Sequence, residues 1–304
     1  MTDPAADPGP IAFIGLGMMG LPMASRLVAA GFSVRGSDLS EQALAAFAAA
    51  GGIVCASART AAQGTTIVIT MLPNGSIVRD ALLGSGGAAL ALAPGSLVID
   101  MSSSAPMETR QLAEELSARE VFLVDAPVSG GVKRAVSGTL AIMAGGDPAQ
   151  IERARPVLSA MGSTIIATGA PGSGHAVKAL NNYVSAAGLV AACEAVLIAE
   201  KFGVDPNVLV DVLNVSTGKN NSTELKLKPF ILSRTFASGF SMALMAKDLR
   251  TAADLSEQLG VDAEGARDAA TLWAEASATL GKAADHTEIH RFVAGRSVKP
   301  EQGG

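Results

Sequence analysis

The stretch Ile11-Ala12-Phe13-Ile14-Gly15-Leu16-Gly17-Met18-Met19-Gly20 decides how the rest of the chain is read. Four apolar residues suited to a buried strand run straight into a GxGxxG turn. Leu21–Ala30 then has helical character and is closed by Gly31. Ser33–Ser37 reads as a second strand leading to Asp38, eighteen residues after Gly20. A lone GxGxxG is a weak signal. Strand, glycine turn, helix, strand and terminal acid in that order form a dinucleotide-binding fingerprint. Gly15 permits the tight turn, Gly17 lets the backbone approach a pyrophosphate, and Gly20 lets helix and strand pack closely. The whole turn, including Leu16, Met18 and Met19, is therefore assigned to the cofactor. The helix that follows offers free N–H groups and a positive dipole end to the phosphates. Asp38 points to NAD rather than NADP, because a carboxylate accepts both ribose hydroxyls and repels a 2′-phosphate. Arg35, three residues earlier in the same strand, should face the opposite way.

Beyond this unit the alternation continues. Strand-like runs at Ile67–Met71, Leu97–Asp100, Val121–Asp125, Leu140–Ala144 and Thr164–Ala167 are separated mostly by helical segments at Glu41–Ala50, Ile77–Leu82, Met107–Ser117 and Ala149–Ala160. That pattern predicts an α/β Rossmann domain with a doubly wound, mostly parallel sheet over residues 11–171. After Gly169-Ala170-Pro171-Gly172 the strand pattern stops. Helical stretches at Gly174–Lys201, Pro206–Asn214, Ser241–Leu259 and Ala263–Gly281 predict an all-α second domain over residues 172–304.

Composition narrows the function classes. The chain has 304 residues, 49% hydrophobic and 17% charged, which is enough for two domains with large cores. A net charge of −5, no basic tract and 4% aromatic residues argue against a nucleic-acid partner. Two cysteines, Cys55 and Cys193, cannot build a disulfide framework and fit a reducing cytoplasm, where both read as small buried apolar residues. The first ten residues carry Asp3, Asp7 and three prolines and do not read as a signal peptide. The apolar run Val184–Ile198 is interrupted by Glu194 and is shorter than the ~20 residues of a membrane span, so no membrane partner is expected. His175, His286 and His290 have no metal-ligand spacing, and no metal is expected. His175 reads as a hydrogen-bonded structural histidine, and Trp273 as core.

Ligands of such sheets bind outside the carboxyl ends of the strands. Three segments stand there: Leu72-Pro73-Asn74, Asp100-Met101-Ser102-Ser103 and Asp125-Ala126-Pro127-Val128-Ser129-Gly130-Gly131. Ser129, Gly130 and Gly131 offer a hydroxyl and unhindered N–H groups, a fair receptor for a small carboxylate. At the start of the long helix, Lys178, Asn181 and Asn182 share one face by their i, i+3, i+4 spacing. Polar groups on an otherwise apolar helix are costly unless they have a use. Lys247-Asp248, after Phe240–Met245, reads alone as an ordinary surface pair.

Taken together, Gly15–Ala24, Asp125–Gly131, Gly138-Thr139-Leu140, Lys178 with Asn181-Asn182, and Lys247-Asp248-Leu249 closely resemble the β-hydroxyacid dehydrogenase family. The resemblance covers nearly all of the chain after Pro10. It implies Lys178 as general acid/base, Asn182 with its neighbour Asn181 as substrate ligands, and Ser129–Gly131 as the carboxylate loop. It also implies Leu72, Pro73, Ser103 and Lys247 near the cofactor, and homodimers or homotetramers built through the helical domain. Arg26 stands where many relatives carry Asn, on the later turns of its helix and away from the chemistry. The implied reaction is NAD-dependent oxidation of a small 3-hydroxy or 2-hydroxy acid of 3-hydroxyisobutyrate type, with L-threonate or tartronate semialdehyde as alternatives. An amine serving as base at neutral pH needs a pKa below the ordinary ~10.4 of lysine. Imine reductases share this architecture, but many lack the lysine; a non-catalytic nucleotide-binding protein is the remaining rival.

Overall fold

The computed structural model of the chain describes residues 9–296, so the N-terminal segment read above as non-signal lies largely outside the described residues. Two compact units emerge, Met1–Lys178 and Ala179–Gly304, dividing within one helix.

The first unit is laid out as β1 (Ile11–Ile14), α1 (Gly20–Ala29), β2 (Val34–Ser37), α2 (Glu41–Ala49), β3 (Ile53–Val54), α3 (Ala58–Ala62), β4 (Ile67–Thr70) and α4 (Gly75–Leu83). Then come β5 (Leu97–Asp100), α5 (Pro106–Ser117), β6 (Phe122–Asp125), β7 (Val128–Ser129), α6 (Gly131–Ser137), β8 (Leu140–Gly145), α7 (Pro148–Ser159) and β9 (Gly162–Gly169). The sheet runs β3-β2-β1-β4-β5-β6-β8-β7, with β9 paired to β8. All pairings from β3 through β6 are parallel. The chain reverses at β8, which is antiparallel to both β6 and β7. Alternate residues of the central strands feed different cores. Ile11, Phe13, Ile67, Ile69, Leu97 and Ile99 pack on one face; Ala12, Ile14, Val68 and Val98 pack on the other. Burial on both faces explains why these strands read as unbroken apolar runs rather than alternating ones.

The helix boundaries have local causes. Ser40, Ser57 and Asn74 cap α2, α3 and α4 by accepting N–H groups of the first turns. Asp147 does so for α7, where Pro148 occupies a first-turn position that needs no N–H donor.

The long helix α8 (Ser173–Phe202) leads into the second unit. There it is followed by α9 (Pro206–Val215), α10 (Asn221–Leu225), a π-helical segment Leu227–Leu232, α11 (Met242–Gln258), α12 (Glu264–Leu280) and α13 (Ile289–Arg296). No named strand occurs among the described residues after Gly169. The core of this unit gathers Ala186, Leu189, Cys193 and Val196 of α8 around a fully buried Trp273.

Two expectations change. Cys55 is only partly buried, because β3 is a two-residue edge strand and leaves it at the rim, whereas Cys193 is buried as expected. The apolar run at 184–198 belongs to a 30-residue helix, long and apolar enough to cross a membrane by length and composition alone. Its inward residues form the core of the helical unit, which is what a core helix of a globular domain also does.

Candidate active site

The glycine turn has the shape its residues dictate. Gly15 adopts φ +96°, and a side chain there would collide with the Met71 carbonyl. A Cβ on Gly20 would strike the Gly15 carbonyl, so the helix starts hard against the turn. A Cβ on Gly17, in contrast, would meet nothing within 4 Å, which leaves open space for a phosphate over the turn. Met18 points outward at 76% exposure. Asp38, just past β2, accepts the backbone N–H of Leu16 at 2.5 Å and that of Ser40 at 2.8 Å. The acid and the turn are thus bonded to each other before any ligand arrives. Arg35 is committed elsewhere, donating to the Gln63 carbonyl at 2.5 Å. These residues fit a nicotinamide dinucleotide: open backbone at the turn and a carboxylate at the end of β2.

The carboxyl ends of β4 and β5 are tied together. Asp100 accepts the Thr70 hydroxyl at 2.8 Å, the Ser102 N–H at 3.0 Å and the Ser104 hydroxyl at 3.0 Å. Ser102 in turn accepts the Leu72 N–H at 2.9 Å. Leu72, Pro73 and Ser103 therefore sit on loops pinned by Asp100 and Ser102, and Leu72 closes on Gly15.

Asp125, the last residue of β6, is fully buried. Its carboxylate accepts the Gly172 N–H at 2.7 Å and the His175 N–H at 2.8 Å, satisfying donors at the start of α8. A Cβ on Gly174 would collide with the Met143 carbonyl and stand 2.8 Å from the Asp125 carbonyl, so only glycine lets the helix start this close to β6 and β8. The His175 ring is held at both nitrogens. Nε2 lies 3.1 Å from the Ser102 carbonyl, which can only accept, so the proton sits on Nε2; Nδ1 lies 2.8 Å from the Thr109 hydroxyl. Burial pushes the Asp125 carboxyl above the usual carboxylate range, opposed by the nearby His175 ring and the two N–H donors. The result is one buried polar network joining the ends of β5 and β6 to the first turn of α8. Lys178 stands one turn further along that helix.

Ser129 closes the short strand β7, opposite Ala141, and the chain turns through Gly130 and Gly131, both at positive φ, into α6. This loop follows Asp125 directly in sequence. In the second unit, Asn181 donates to the Asn182 side-chain oxygen at 3.1 Å, and Asn182 donates to a buried Asp248 at 2.5 Å. Lys247 lies 3.8 Å from the same Asp248 carboxylate. Lys247-Asp248 is therefore not an ordinary surface pair: Asp248 fixes the amide of Asn182. Neither this bond nor the Asp125 anchor has a signal in the local sequence, since the partners are 66 and 50 residues apart. The resemblance flagged the segments but not the bonds. Among the described residues no cluster of histidine, cysteine and carboxylate side chains forms a metal site.

Comparisons with known proteins place both parts of the chain in described families. Residues 10–169 match the family described as the NAD binding domain of 6-phosphogluconate dehydrogenase. Residues 172–293 match the one described as NAD-binding of NADP-dependent 3-hydroxyisobutyrate dehydrogenase. A 2-(hydroxymethyl)glutarate dehydrogenase of Eubacterium barkeri is 39% identical over 82% of this chain and 82% of its own length. A probable 3-hydroxyisobutyrate dehydrogenase of Mycobacterium tuberculosis is 40% identical over 92% of this chain and 94% of its own. The chain belongs to the β-hydroxyacid dehydrogenase family. A solved structure of the Mycobacterium tuberculosis 3-hydroxyisobutyrate dehydrogenase with L-serine superimposes with a TM-score of 0.88 at 38% identity, covering 94% of this chain and 99% of that one. As a β-hydroxyacid dehydrogenase the protein is an NAD(P)-dependent oxidoreductase acting on the CH–OH group of a small substrate. Its Rossmann domain and helical second part are those expected from the sequence.

Proposed function

We propose that the protein oxidises a small β-hydroxy acid of 3-hydroxyisobutyrate type with NAD, and that Lys178 exchanges the hydroxyl proton. The observation that carries this reading is the anchor of α8. Asp125 holds the first turn of the helix at the carboxyl end of β6, at the edge of the sheet where the glycine turn also lies. The Ser129–Gly131 loop leaves the same strand and is the receptor for the substrate carboxylate. Bound NAD supplies the hydride acceptor. Lys178, deprotonated, removes the proton from the hydroxyl oxygen as the carbinol carbon is oxidised, and returns it in reduction. Asn182, held by Asp248, orients the substrate hydroxyl, with Asn181 supporting its amide. Leu72, Pro73, Ser103 and Lys247 serve the cofactor.

The preference for NAD over NADP rests on Asp38, whose carboxylate already faces the turn, and on Arg35 being tied to Gln63. Self-association through the helical unit accounts for the exposed apolar residues Val184, Ile198 and Phe202 of α8 and Val215 of α9, which are 69%, 69%, 85% and 87% exposed. A homodimer or homotetramer buries them; a monomer at working concentration in sedimentation equilibrium is the contrary result. The two free cysteines suit the cytoplasm.

The deciding measurement is NADH formation across a panel of hydroxy acids, with NAD and NADP in parallel. Turnover of 3-hydroxyisobutyrate supports the reading directly. Preference for threonate, glycerate or tartronate semialdehyde redirects it within the family. Silence with cofactor binding intact removes it in favour of imine reduction or a non-catalytic role.

A further inference from the structure

Asp125 sets where α8 begins through backbone N–H groups, those of Gly172 and His175. The His175 side chain makes a different connection. It is buried, and its Nε2–H donates to the carbonyl of Ser102, in the loop after β5, at 3.1 Å. Its Nδ1 lies 2.8 Å from the Thr109 hydroxyl of α5. Ser102 is itself a junction. Its N–H donates to Asp100 at 3.0 Å, and its hydroxyl accepts the Leu72 N–H at 2.9 Å. The Leu72 side chain in turn stands 2.9 Å from the position that a Cβ on Gly15 would take. A continuous series of contacts therefore leads from the glycine turn through Leu72 and Ser102 to the His175 ring. Every member of it belongs to the first unit.

A buried imidazole is a costly way to fill space, because both of its nitrogens must find partners. A leucine would fill much the same volume with no polar atom to satisfy. Both His175 nitrogens are used, each on a group carried by another element. A fully satisfied buried network of this kind specifies one arrangement of the parts it joins. Here it fixes the first turn of α8 against the loops that carry Leu72 and Ser102. Lys178 follows His175 by three residues, so the two are neighbours on one helix face, about 4.5 Å apart along the axis. A shift of the ring carries the amine with it.

We propose that His175 is a positioning residue: its ring ties the first turn of α8 to the loops that receive the dinucleotide, so that seating NAD and aligning Lys178 are one event. The order that the cofactor gives to the Leu72 and Ser103 loops passes through the Ser102 carbonyl and the ring to the turn. This rests on the reading of those loops as the cofactor's and of Lys178 as the proton-transfer group, and goes beyond it by naming the residue that couples the two.

Amide hydrogen exchange of the full chain, with and without NAD, reads the tie independently of turnover. Two sets of amides are compared. Leu21 and Met23 bond to the Gly17 and Met19 carbonyls behind the glycine turn; Ala176 bonds to the Gly172 carbonyl, and Val177 and Lys178 follow it in the first turn of α8. In wild type NAD should slow both sets by roughly 10–100-fold, the linkage expected when it is in that excess over its Kd. In His175→Leu the slowing at Leu21 and Met23 should persist, while that at 176–178 should fall below about threefold. Its kcat should drop roughly 10–100-fold, the range of a misplaced reacting group. His175→Gln keeps a donor for the Ser102 carbonyl and an acceptor for the Thr109 hydroxyl, and should recover most of both effects. Thr109→Val removes only the Nδ1 contact and should show the same pattern at smaller size, which keeps the test open if His175→Leu does not fold. Equal slowing at 176–178 in His175→Leu and wild type, or slowing in wild type at Leu21 and Met23 alone, overturns the proposal. So does a wild-type kcat in folded His175→Leu when Lys178→Ala is inactive. Slowing at neither set removes the NAD reading and the tie with it. If the exchange pattern is as expected but Lys178→Ala keeps near-normal turnover, the tie stands and the reading of Lys178 fails.

Discussion

The carboxylate of Asp125 accepts the backbone N–H of His175 at 2.8 Å, and through that bond the end of a sheet strand sets where α8 begins. Three residues later the same helix presents Lys178. Removing the carboxylate in Asp125→Ala strands two buried donors, on Gly172 and His175, at about 1–3 kcal/mol each. The melting temperature should fall and kcat should fall by roughly 10²-fold, the cost of misplacing a reacting group by about an ångström. Asp125→Asn keeps one acceptor and should be intermediate in both. The diagnostic readout is kcat against NAD affinity: a positioning role lowers the first and spares the second. A folded Asp125→Asn with wild-type kcat would remove the anchoring role.

Lys178→Ala should lower kcat by roughly 10²–10⁴-fold, the usual contribution of a general acid or base, with NAD binding retained. Lys178→Arg should not restore activity, because a guanidinium stays protonated and cannot accept the hydroxyl proton. Steady-state rates with cofactor titration by fluorescence measure both. Near-normal turnover in Lys178→Ala places the proton transfer on another group.

Asp38→Ala should raise the KM for NAD by roughly tenfold or more and narrow the gap to NADP. Two effects add: the ribose loses its acceptor, and the N–H groups of Leu16 and Ser40 lose theirs, which loosens the turn. The ratio of kcat/KM for the two cofactors is the measurement. A wild-type enzyme that already prefers NADP contradicts the assignment.

His286 gives a pH dependence with a definite sign. Burial, helped by the Lys226 charge, holds its ring at about 4, well below the ordinary ~6.5 of an imidazole. The buried neutral ring therefore contributes stability that is present above pH ~6.5 and is lost as pH falls toward ~4, about 3 kcal/mol in all. His290, lowered mainly by burial, acts in the same direction. Thermal unfolding should be nearly level from pH 8 to 6.5 as far as these rings are concerned, and should drop between pH 6.5 and 4. His286→Gln should flatten that drop. An unchanged acid profile in the variant assigns the loss to other groups.

The parts of the fold legible in the sequence were those whose causes are local. The turn at Gly15–Gly20 declares itself because Gly15 and Gly20 have no room for a side chain, and the central strands because burial on both faces makes them apolar up to their carboxyl ends, where Thr70 and Asp100 stand. Pro148, Pro206 and the residues before them mark helix starts in the same way. The pieces that escaped are short: β3 has two residues, α3 and α10 five each, and the π-helical segment follows α10 with almost no break. None of these spans enough residues to show a period. The site divides along the same line. Lys178, Asn181 and Asn182 stand out because helical spacing groups them. Asp125 with His175, Ser102 with His175 and Asn182 with Asp248 did not, because each bond joins distant parts of the chain and depends on how intervening elements fold. The partial exposure of Cys55 follows from the same blindness to a two-residue edge strand.

The unbroken run of α8 makes the chain intolerant of one kind of change. From its anchor at Asp125 through Lys178, Asn182 and Ser185 to Cys193 there is no loop that could absorb an added or deleted residue. One extra residue between Lys178 and Asn182 turns the Asn182 amide by about 100° about the helix axis relative to the amine. Away from Lys178 and Asn182, side chains on this segment are free to drift over evolutionary time, within the limits of packing. Its length is not, so gene variants here should differ by substitution and almost never by insertion.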